Sequence, residues 1–118
     1  MIWVLAGTKD AREIIEILKK ENFQVLATAV TDYGASLAKN SGADKIIAKA
    51  LNYDEMMGLI KLKGITAAID ATHPFATIAS KNAIKACKDS NIKYIRYERP
   101  SGTIFNNQLI HNVKKLQS

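Results

Sequence analysis

Residues 70–76, with the sequence Asp-Ala-Thr-His-Pro-Phe-Ala, place a carboxylate, a hydroxyl and an imidazole within four positions. An apolar run at 66–69 precedes them and a helical pattern follows, so they fall at a predicted strand-to-helix turn. Ligands of open α/β sheets bind beyond the carboxyl ends of the strands, where such turns gather. We therefore expect His73 to face a pocket. The alternative is a histidine that only hydrogen-bonds its own turn.

The turn after the apolar run 2–6 is a second candidate, because backbone N–H groups at a helix start can bind a phosphate. Gly7 and Thr8 open this turn. A strict dinucleotide-binding fingerprint has glycine at three positions, where this chain has Ala6, Thr8 and Ala11. Ala11 keeps the small side chain that close helix–strand packing needs, and Thr8 adds a hydroxyl. The pattern predicts a phosphate site while matching the fingerprint only in part.

The end of the second predicted strand indicates which dinucleotide would bind. An acidic residue at this place usually holds the ribose 2′-hydroxyl of NAD. Here threonine hydroxyls come first and Asp32 lies slightly further on. That arrangement leaves room for a 2′-phosphate beside Lys9 or Arg12, so we favour NADP over NAD. Asp32 as a simple turn or cap residue is the alternative.

Strands and helices that alternate along the chain must position these turns. Apolar runs predict strands at residues 2–6, 24–30, 45–48, 67–70 and 92–97. Apolar residues at helical spacing predict four helices between them, the first with an inner face of Ala11, Ile14, Ile15 and Leu18. This alternation predicts the α/β class: a doubly wound, Rossmann-like parallel sheet of five strands in the order 3-2-1-4-5. In that order Gly7 and Thr8 face Thr72 and His73 across the switch point.

The same spacing sets the inner faces that we expect for the later helices. The second helix is short, around residues 35–40, and the third follows a cap at Asn52 or Asp54. The inner face of the third helix is predicted to contain Tyr53, Met56, Met57 and Ile60. The fourth helix is predicted to begin near Phe75 and to point inward Phe75, Ile78, Ala79, Ala83, Ala86 and Cys87.

Length and composition set further limits. The 118 residues suit one domain, and 47% hydrophobic with 24% charged residues is an ordinary globular balance. No apolar stretch is long enough to span a bilayer and the amino terminus has no basic leader, so we expect a cytoplasmic protein. The single cysteine, Cys87, excludes an intrachain disulfide and favours a buried thiol. We expect no metal site, because His111 lies in an unrelated segment and no second ligand lies at helical spacing from His73.

The charge balance is basic, with 17 Lys and Arg against 11 Asp and Glu and a net charge of +6. Such a surface attracts anions. The lysines are spread over several elements without an arginine-rich run, and we interpret them as solvated surface residues. A phosphate-bearing cofactor or a polycarboxylate ligand is the more specific alternative, and nucleic-acid binding ranks last.

Four motifs together resemble the precorrin-6A reductase family, which includes the cobalt-precorrin-6A reductases. They are Gly-Thr-x-Asp-Ala-Arg at 7–12, Thr-Asp-Tyr-Gly at 31–34, the 70–76 stretch, and Arg-Tyr-Glu-Arg-Pro at 96–100. The resemblance covers residues 1–100, with Ala6 and Asp10 as departures from the commoner glycine and glutamate. It implies NADPH-dependent reduction of one double bond of a tetrapyrrole-derived precorrin macrocycle in cobalamin biosynthesis.

The resemblance also implies roles for individual residues. The pyrophosphate of NADPH would be bound by Gly7, Thr8 and Arg12. The adenosine half would lie along residues 28–34, with contacts from Thr31, Asp32, Tyr33 and Gly34. The side of the site that faces the nicotinamide and the macrocycle would be lined by Thr72, His73 and Phe75. His73 is the candidate proton donor, because imidazole titrates near neutrality.

The substrate implied by the resemblance carries many carboxylates, for which Lys81, Arg96 and Arg99 are candidate partners. Phe75 and Arg99 are the substrate-binding residues that we select.

Family members are longer and complete the substrate cleft with a second α/β domain. We therefore expect residues 1–100 to form a Rossmann-like dinucleotide-binding domain, with 101–118 as a linker or the start of a second domain. A C-terminal domain or a partner chain would then complete the site. The alternative is a protein of a different functional class, a non-catalytic dinucleotide-binding module used for sensing or protein association.

Overall fold

The first strand, β1 (Ile2–Leu5), consists of four apolar residues that are all buried, as expected of a central strand covered on both faces. A computed structural model describes residues 1–97 of the chain. The later strands of the sheet are β2 (Val25–Ala29), β3 (Lys45–Ala48), β4 (Ala67–Asp70) and β5 (Lys93–Arg96). The helices between them are α1 (Lys9–Lys20), α2 (Asp32–Asn40), α3 (Tyr53–Lys63) and α4 (Thr77–Asp89).

The five strands form one sheet in the order β3-β2-β1-β4-β5, and every neighbouring pair is parallel. The predicted strand order is confirmed. Leu5 is in register with Thr28 of β2 and with Asp70 of β4, so three strands end at the same level. Two helices cover each face: α1 and α2 pack on one core cluster, and α3 and α4 pack on the other.

Burial on α1 and α3 follows the hydrophobic spacing closely. The predicted inner face of α1 is buried at all four positions. On α3, Met56 and Ile60 are buried as predicted, together with Leu59, while Tyr53 and Met57 are partly buried. Asn52, one of the two predicted caps, accepts a hydrogen bond from the N–H of Glu55, and the Glu55 side chain accepts from the N–H of Asn52. This capping box fixes where α3 begins.

The start of α4 differs from the prediction. The helix begins at Thr77 rather than near Phe75, because a turn that contains Pro74 comes first. Phe75 and Ile78, both predicted to point inward, are 84% and 76% exposed. Since residues in a helix advance by about 100°, Ile78 lies about 140° around the axis from Ala83, which faces the core. The predicted inward positions of Phe75 and Ile78 are therefore wrong.

Other boundaries shift by a few residues. The helix α2 begins at Asp32 rather than near residue 35, because the Thr31 hydroxyl accepts a hydrogen bond from the N–H of Gly34 and caps it. The predicted buried thiol is confirmed, since Cys87 is 1% exposed, and burial raises its pKa to about 11.

Within residues 1–97, no helix is both long and apolar enough to cross a bilayer. The predicted boundary at residue 100, the segment 101–118, Arg99 and His111 lie outside the described residues.

Candidate functional site

A groove of about 330 Å³ lies at the carboxyl edge of the sheet, where β1, β2 and β4 end. Its wall is mostly apolar and includes Leu5, Ala6, Ala29, Leu51, Met56 and Ile78. Gly7, Thr72 and His73 also line it, so both predicted strand-end turns contribute to one cavity. Apolar lining with a few polar groups is typical of small-molecule and cofactor sites.

The two turns are joined by a direct hydrogen bond. The Thr8 hydroxyl donates to the backbone carbonyl of Ala71 at 2.8 Å. Because this interaction uses the hydroxyl proton, the Thr8 side chain keeps only acceptor capacity towards a ligand. A phosphate at this turn would therefore be bound by backbone N–H groups.

The backbone at Gly7 leaves space for such a ligand. Its φ is +156°, a conformation that side-chain-bearing residues rarely adopt, and no heavy atom lies within 4 Å of the position that a Cβ would occupy. The helix α1 begins two residues later, and the first N–H groups of a helix have no acceptor within it. Open space over a glycine beside a helix start fits a pyrophosphate group.

Asp70, the last residue of β4, has a fully buried carboxylate that accepts hydrogen bonds at both oxygens. Its Oδ1 accepts from the N–H and hydroxyl of Thr72, at 3.0 and 2.6 Å, and from Nη1 of Arg96 at 3.0 Å. Its Oδ2 accepts from the hydroxyls of Ser80 at 2.6 Å and Tyr94 at 2.5 Å. We call Asp70, Thr72, Ser80, Tyr94 and Arg96 the Asp70 cluster.

Electrostatics keep this carboxylate charged. Burial acts to raise the pKa of Asp70, but hydrogen bonds from Ser80, Thr72 and Tyr94 outweigh it and hold the pKa below 3.8. Burial and the hydrogen bond to Asp70 raise the pKa of Tyr94, which stays neutral. The cluster therefore contains an aspartate anion balanced by the Arg96 guanidinium.

The cluster determines what Thr72 can offer the groove. Its hydroxyl donates to Asp70 and accepts from Arg96 Nη1 at 3.0 Å, so its proton points away from a ligand. Arg96, a candidate partner for substrate carboxylates, is paired with Asp70 instead.

His73 and Phe75 form an exposed pair of rings at the mouth of the groove. Their centroids are 4.9 Å apart with 27° between the planes, and the Phe75 N–H donates to Nδ1 of His73 at 3.3 Å. The histidine thus bonds its own turn and also lines the groove, and its functional role stays a prediction. With Nδ1 accepting, a neutral imidazole carries its proton on Nε2.

The predicted adenosine-side residues shape the turn at the end of β2. Thr31 caps α2, and a Cβ on buried Gly34 would lie 3.2 Å from Ala29 Cβ and 3.3 Å from the Thr31 hydroxyl, so close packing requires glycine. Asp32 and Tyr33 are exposed in the first turn of α2. At this end the groove itself is lined by residues 28–30.

Arg12, predicted to contact the pyrophosphate, lies on the exposed side of α1, where its Nε is 3.2 Å from Glu16. Its cofactor contact stays a prediction. Arg99 lies outside the described residues.

Four residues of the site have no role predicted from the sequence: Asp70, Ser80, Tyr94 and Lys49. One signal was available for Asp70, because an acidic residue that ends an apolar strand is rarely buried without partners. Its partners come from elements up to 26 residues away, which a local pattern does not identify.

Comparison with protein families finds one family model, "Precorrin-6x reductase CbiJ/CobK", that matches residues 1–118. The cobalt-precorrin-6A reductase of Methanococcus maripaludis is 43% identical over 117 residues, 97% of this chain and 46% of that protein. That of Methanocaldococcus jannaschii is 43% identical over 109 residues, 92% of this chain and 43% of that protein. The chain thus spans less than half the length of these curated relatives.

Solved structures show the same fold. One described as CobK precorrin-6A reductase has a TM-score of 0.71 at 24% identity, covering 87% of this chain and 39% of that one. The mycobacterial protein Rv1454c, solved in complex with NADPH, has a TM-score of 0.60 at 14% identity, covering 98% of this chain and 43% of that one. At these identities the likeness shows the fold alone.

Proposed function

Because the chain belongs to the precorrin-6x reductase CbiJ/CobK family, we propose that it supplies the cofactor-binding half of an NADPH-dependent reductase. The reaction is reduction of one double bond of a precorrin-6A or cobalt-precorrin-6A macrocycle in cobalamin biosynthesis, in the cytoplasm. The observation that carries the proposal is the groove at the switch point, with Gly7 open to a ligand on one wall and Thr72 and His73 on the other.

The geometry supports one orientation of the dinucleotide, which in such folds lies across the switch-point crevice. Gly7 and the start of α1 would bind the pyrophosphate, and the end of β2 would border the adenosine. The nicotinamide would then lie beside Thr72 and His73. NADPH supplies the hydride, while the protein binds and orients it and keeps water out with an apolar wall.

His73 is the proposed proton donor. It lines the groove, and as an imidazolium it would donate its Nε2 proton to the macrocycle and be left as neutral imidazole. Forming that imidazolium places a proton on Nδ1 and gives up the hydrogen bond from the Phe75 N–H. General acid catalysis contributes about 10²- to 10⁴-fold, so we expect His73→Ala to slow macrocycle reduction by that factor even at saturating NADPH. If His73→Ala reduces the macrocycle at the wild-type rate, the proton comes from another group.

The mouth of the groove supports binding of a large, partly apolar substrate. Ile78 lines the groove, Phe75 stacks on the His73 ring, and both side chains are exposed; apolar surface of this kind suits the face of a tetrapyrrole. Arg99 is proposed to pair with a substrate carboxylate. Residues 1–100 are the proposed cofactor-binding domain, and 101–118 begin a linker or second domain that, in this chain or a partner, completes the substrate site.

Two measurements test the proposal. Nicotinamide fluorescence on titration with NADPH reports binding, and oxidation of the bound NADPH on addition of precorrin-6A or cobalt-precorrin-6A reports turnover. Binding followed by oxidation is the expected result. Binding without oxidation favours a non-catalytic module or a half that needs its partner, in line with the chain's short span of its relatives. Absence of binding contradicts the proposed function.

A further inference from the structure

We propose that Lys49 selects NADPH over NADH by contacting the 2′-phosphate of the adenosine ribose. The inference rests on the proposed function and assigns its cofactor preference to one side chain.

Lys49 lies at the adenosine end of the groove. It follows the last residue of β3, and that residue, Ala48, is in register with Ala29 of β2. Lys49 therefore stands level with Val30, and both line the groove. Among the described lining residues, Lys49 is the one lysine or arginine.

Of the residues 1–97 that the structure describes, those that line this end of the groove include no carboxylate, the group with which NAD sites bind the ribose. A carboxylate at the end of the second strand holds the ribose 2′-hydroxyl in NAD-dependent folds, and a nearby cation accommodates the 2′-phosphate in NADP-dependent ones. Here the end of β2 and the residue after it contribute Thr28, Ala29 and Val30, which are all neutral, and the residue after β3 contributes the Lys49 ammonium. The chemistry of the lining matches a ribose that carries a phosphate.

Glu55 pairs with Lys49 and leaves the ammonium with N–H groups that can still bind a ligand. The ammonium pairs with Oε2 of Glu55, while Oε1 accepts from the N–H of Asn52 at 3.0 Å, so the capping box fixes the carboxylate. The side chains are 61% and 32% exposed, and pairs this exposed are weak. A phosphate dianion can therefore draw the ammonium towards the groove, because the ammonium has three N–H donors to share.

The test compares NADPH and NADH affinities of the 118-residue chain and three variants by nicotinamide fluorescence. Lys49→Gln removes the charge, and Lys45→Gln is the matched control at the other end of β3. Glu55→Gln removes the competing carboxylate while its amide oxygen can still accept from the Asn52 N–H. A lost charge-assisted contact corresponds to about a 10- to 100-fold change in affinity.

We expect Lys49→Gln to weaken NADPH binding by that factor and to leave NADH binding unchanged. Lys45→Gln should change neither, and Glu55→Gln should tighten NADPH binding alone. Added salt should reduce the NADPH preference of the wild type more than that of Lys49→Gln.

The inference is overturned if Lys49→Gln weakens the binding of NADPH and NADH equally, or if it leaves the preference for NADPH unchanged. Wild-type protein that binds both nucleotides equally also overturns it, while leaving the dinucleotide site intact. Wild-type protein that binds neither contradicts the proposed function and the inference together.

Discussion

Thr8 and Ala71, 63 residues apart in the chain, are joined by a hydrogen bond of 2.8 Å from the threonine hydroxyl to the alanine carbonyl. The bond spans the switch point and ties the turn after β1 to the turn after β4. It adds to the backbone pairing of β1 with β4, in which the Ala71 N–H donates to the Leu5 carbonyl at 3.0 Å, and it fixes the Thr8 side chain against the opposite wall.

Thr8→Val tests this link by removing the donor with little change in shape. We expect the free energy of unfolding to fall by about 0.5–1.5 kcal/mol, as for a typical lost hydrogen bond. NADPH binding should weaken as well, because the turn proposed to bind the pyrophosphate loses its side-chain link to the turn after β4. Urea unfolding and NADPH titration measure the two effects. Thr8→Ser keeps the hydroxyl and should behave as the wild type, and equal losses in both variants would assign the effect to packing.

Gly7→Val tests the open space over the first turn. The added side chain enters the volume proposed for the pyrophosphate and requires a strained φ, so NADPH binding should fall at least about tenfold, the equivalent of about 1.4 kcal/mol. Gly58→Ala is a matched control, because Gly58 lies within α3 and its Cβ position is also open. That control should keep NADPH affinity and stabilise the fold by about 0.5–1 kcal/mol. Wild-type affinity in Gly7→Val would contradict the proposed pyrophosphate position.

Asp70→Asn tests the buried carboxylate. The change removes the buried anion to which Arg96, Thr72, Ser80 and Tyr94 all donate, and removing one partner of a buried pair costs about 3–5 kcal/mol. Asp89→Asn is the control, since Asp89 contacts Tyr53 on the surface and its change should stay within about 0.5 kcal/mol. Chemical unfolding at neutral pH measures both. A loss in Asp70→Asn no larger than that in Asp89→Asn would mean that the cluster adds nothing to stability.

The lowered pKa of Asp70 predicts how stability depends on pH. In the unfolded chain the pKa is near 3.8, and in the fold it is lower, so the unfolded state binds the proton first. The contribution of Asp70 is therefore fully present above pH 3.8 and is lost as pH falls below it towards the folded pKa. Urea unfolding from pH 6 down to about 3 should show a smaller acid loss in Asp70→Asn than in the wild type. Parallel curves would contradict the assigned ionisation.

The Cys87 thiol should resist modification in the native protein. It is 1% exposed, and its pKa is raised to about 11, so little reactive thiolate exists at pH 8. Labelling with a chromogenic disulfide should be slow in buffer and rapid in urea. Fast stoichiometric labelling of folded protein would show that α4 opens readily.

The sequence predicted the sheet and the two facing turns because both depend on local patterns. Continuous apolar runs such as Ile2–Leu5 mark buried parallel strands, and four residues at helical spacing mark the inner face of α1. On α4 the buried positions Ala83, Ala86 and Cys87 were predicted correctly. The helix start was predicted too early because a turn containing Pro74 precedes Thr77, and Ile78 is exposed because it lies on the opposite side of the helix from Ala83.

The site was predictable only in part. Gly7, Thr72 and His73 lie where the pattern indicated, since strand ends of a parallel sheet meet at one edge. The partners of Asp70 and the position of Lys49 depend on tertiary contacts between elements distant in sequence. No spacing rule within one segment identifies such contacts.

The Asp70 cluster also has a consequence for the order of assembly. Its donors come from the turn after β4, from α4 and from β5, so the carboxylate cannot be buried with all its partners until β5 has docked. Partial unfolding of this edge would leave the Asp70 carboxylate without some of its hydrogen-bond donors. This cost favours opening of β4, α4 and β5 as one cooperative unit. Their amide protons should accordingly report one common free energy of opening in native-state hydrogen exchange.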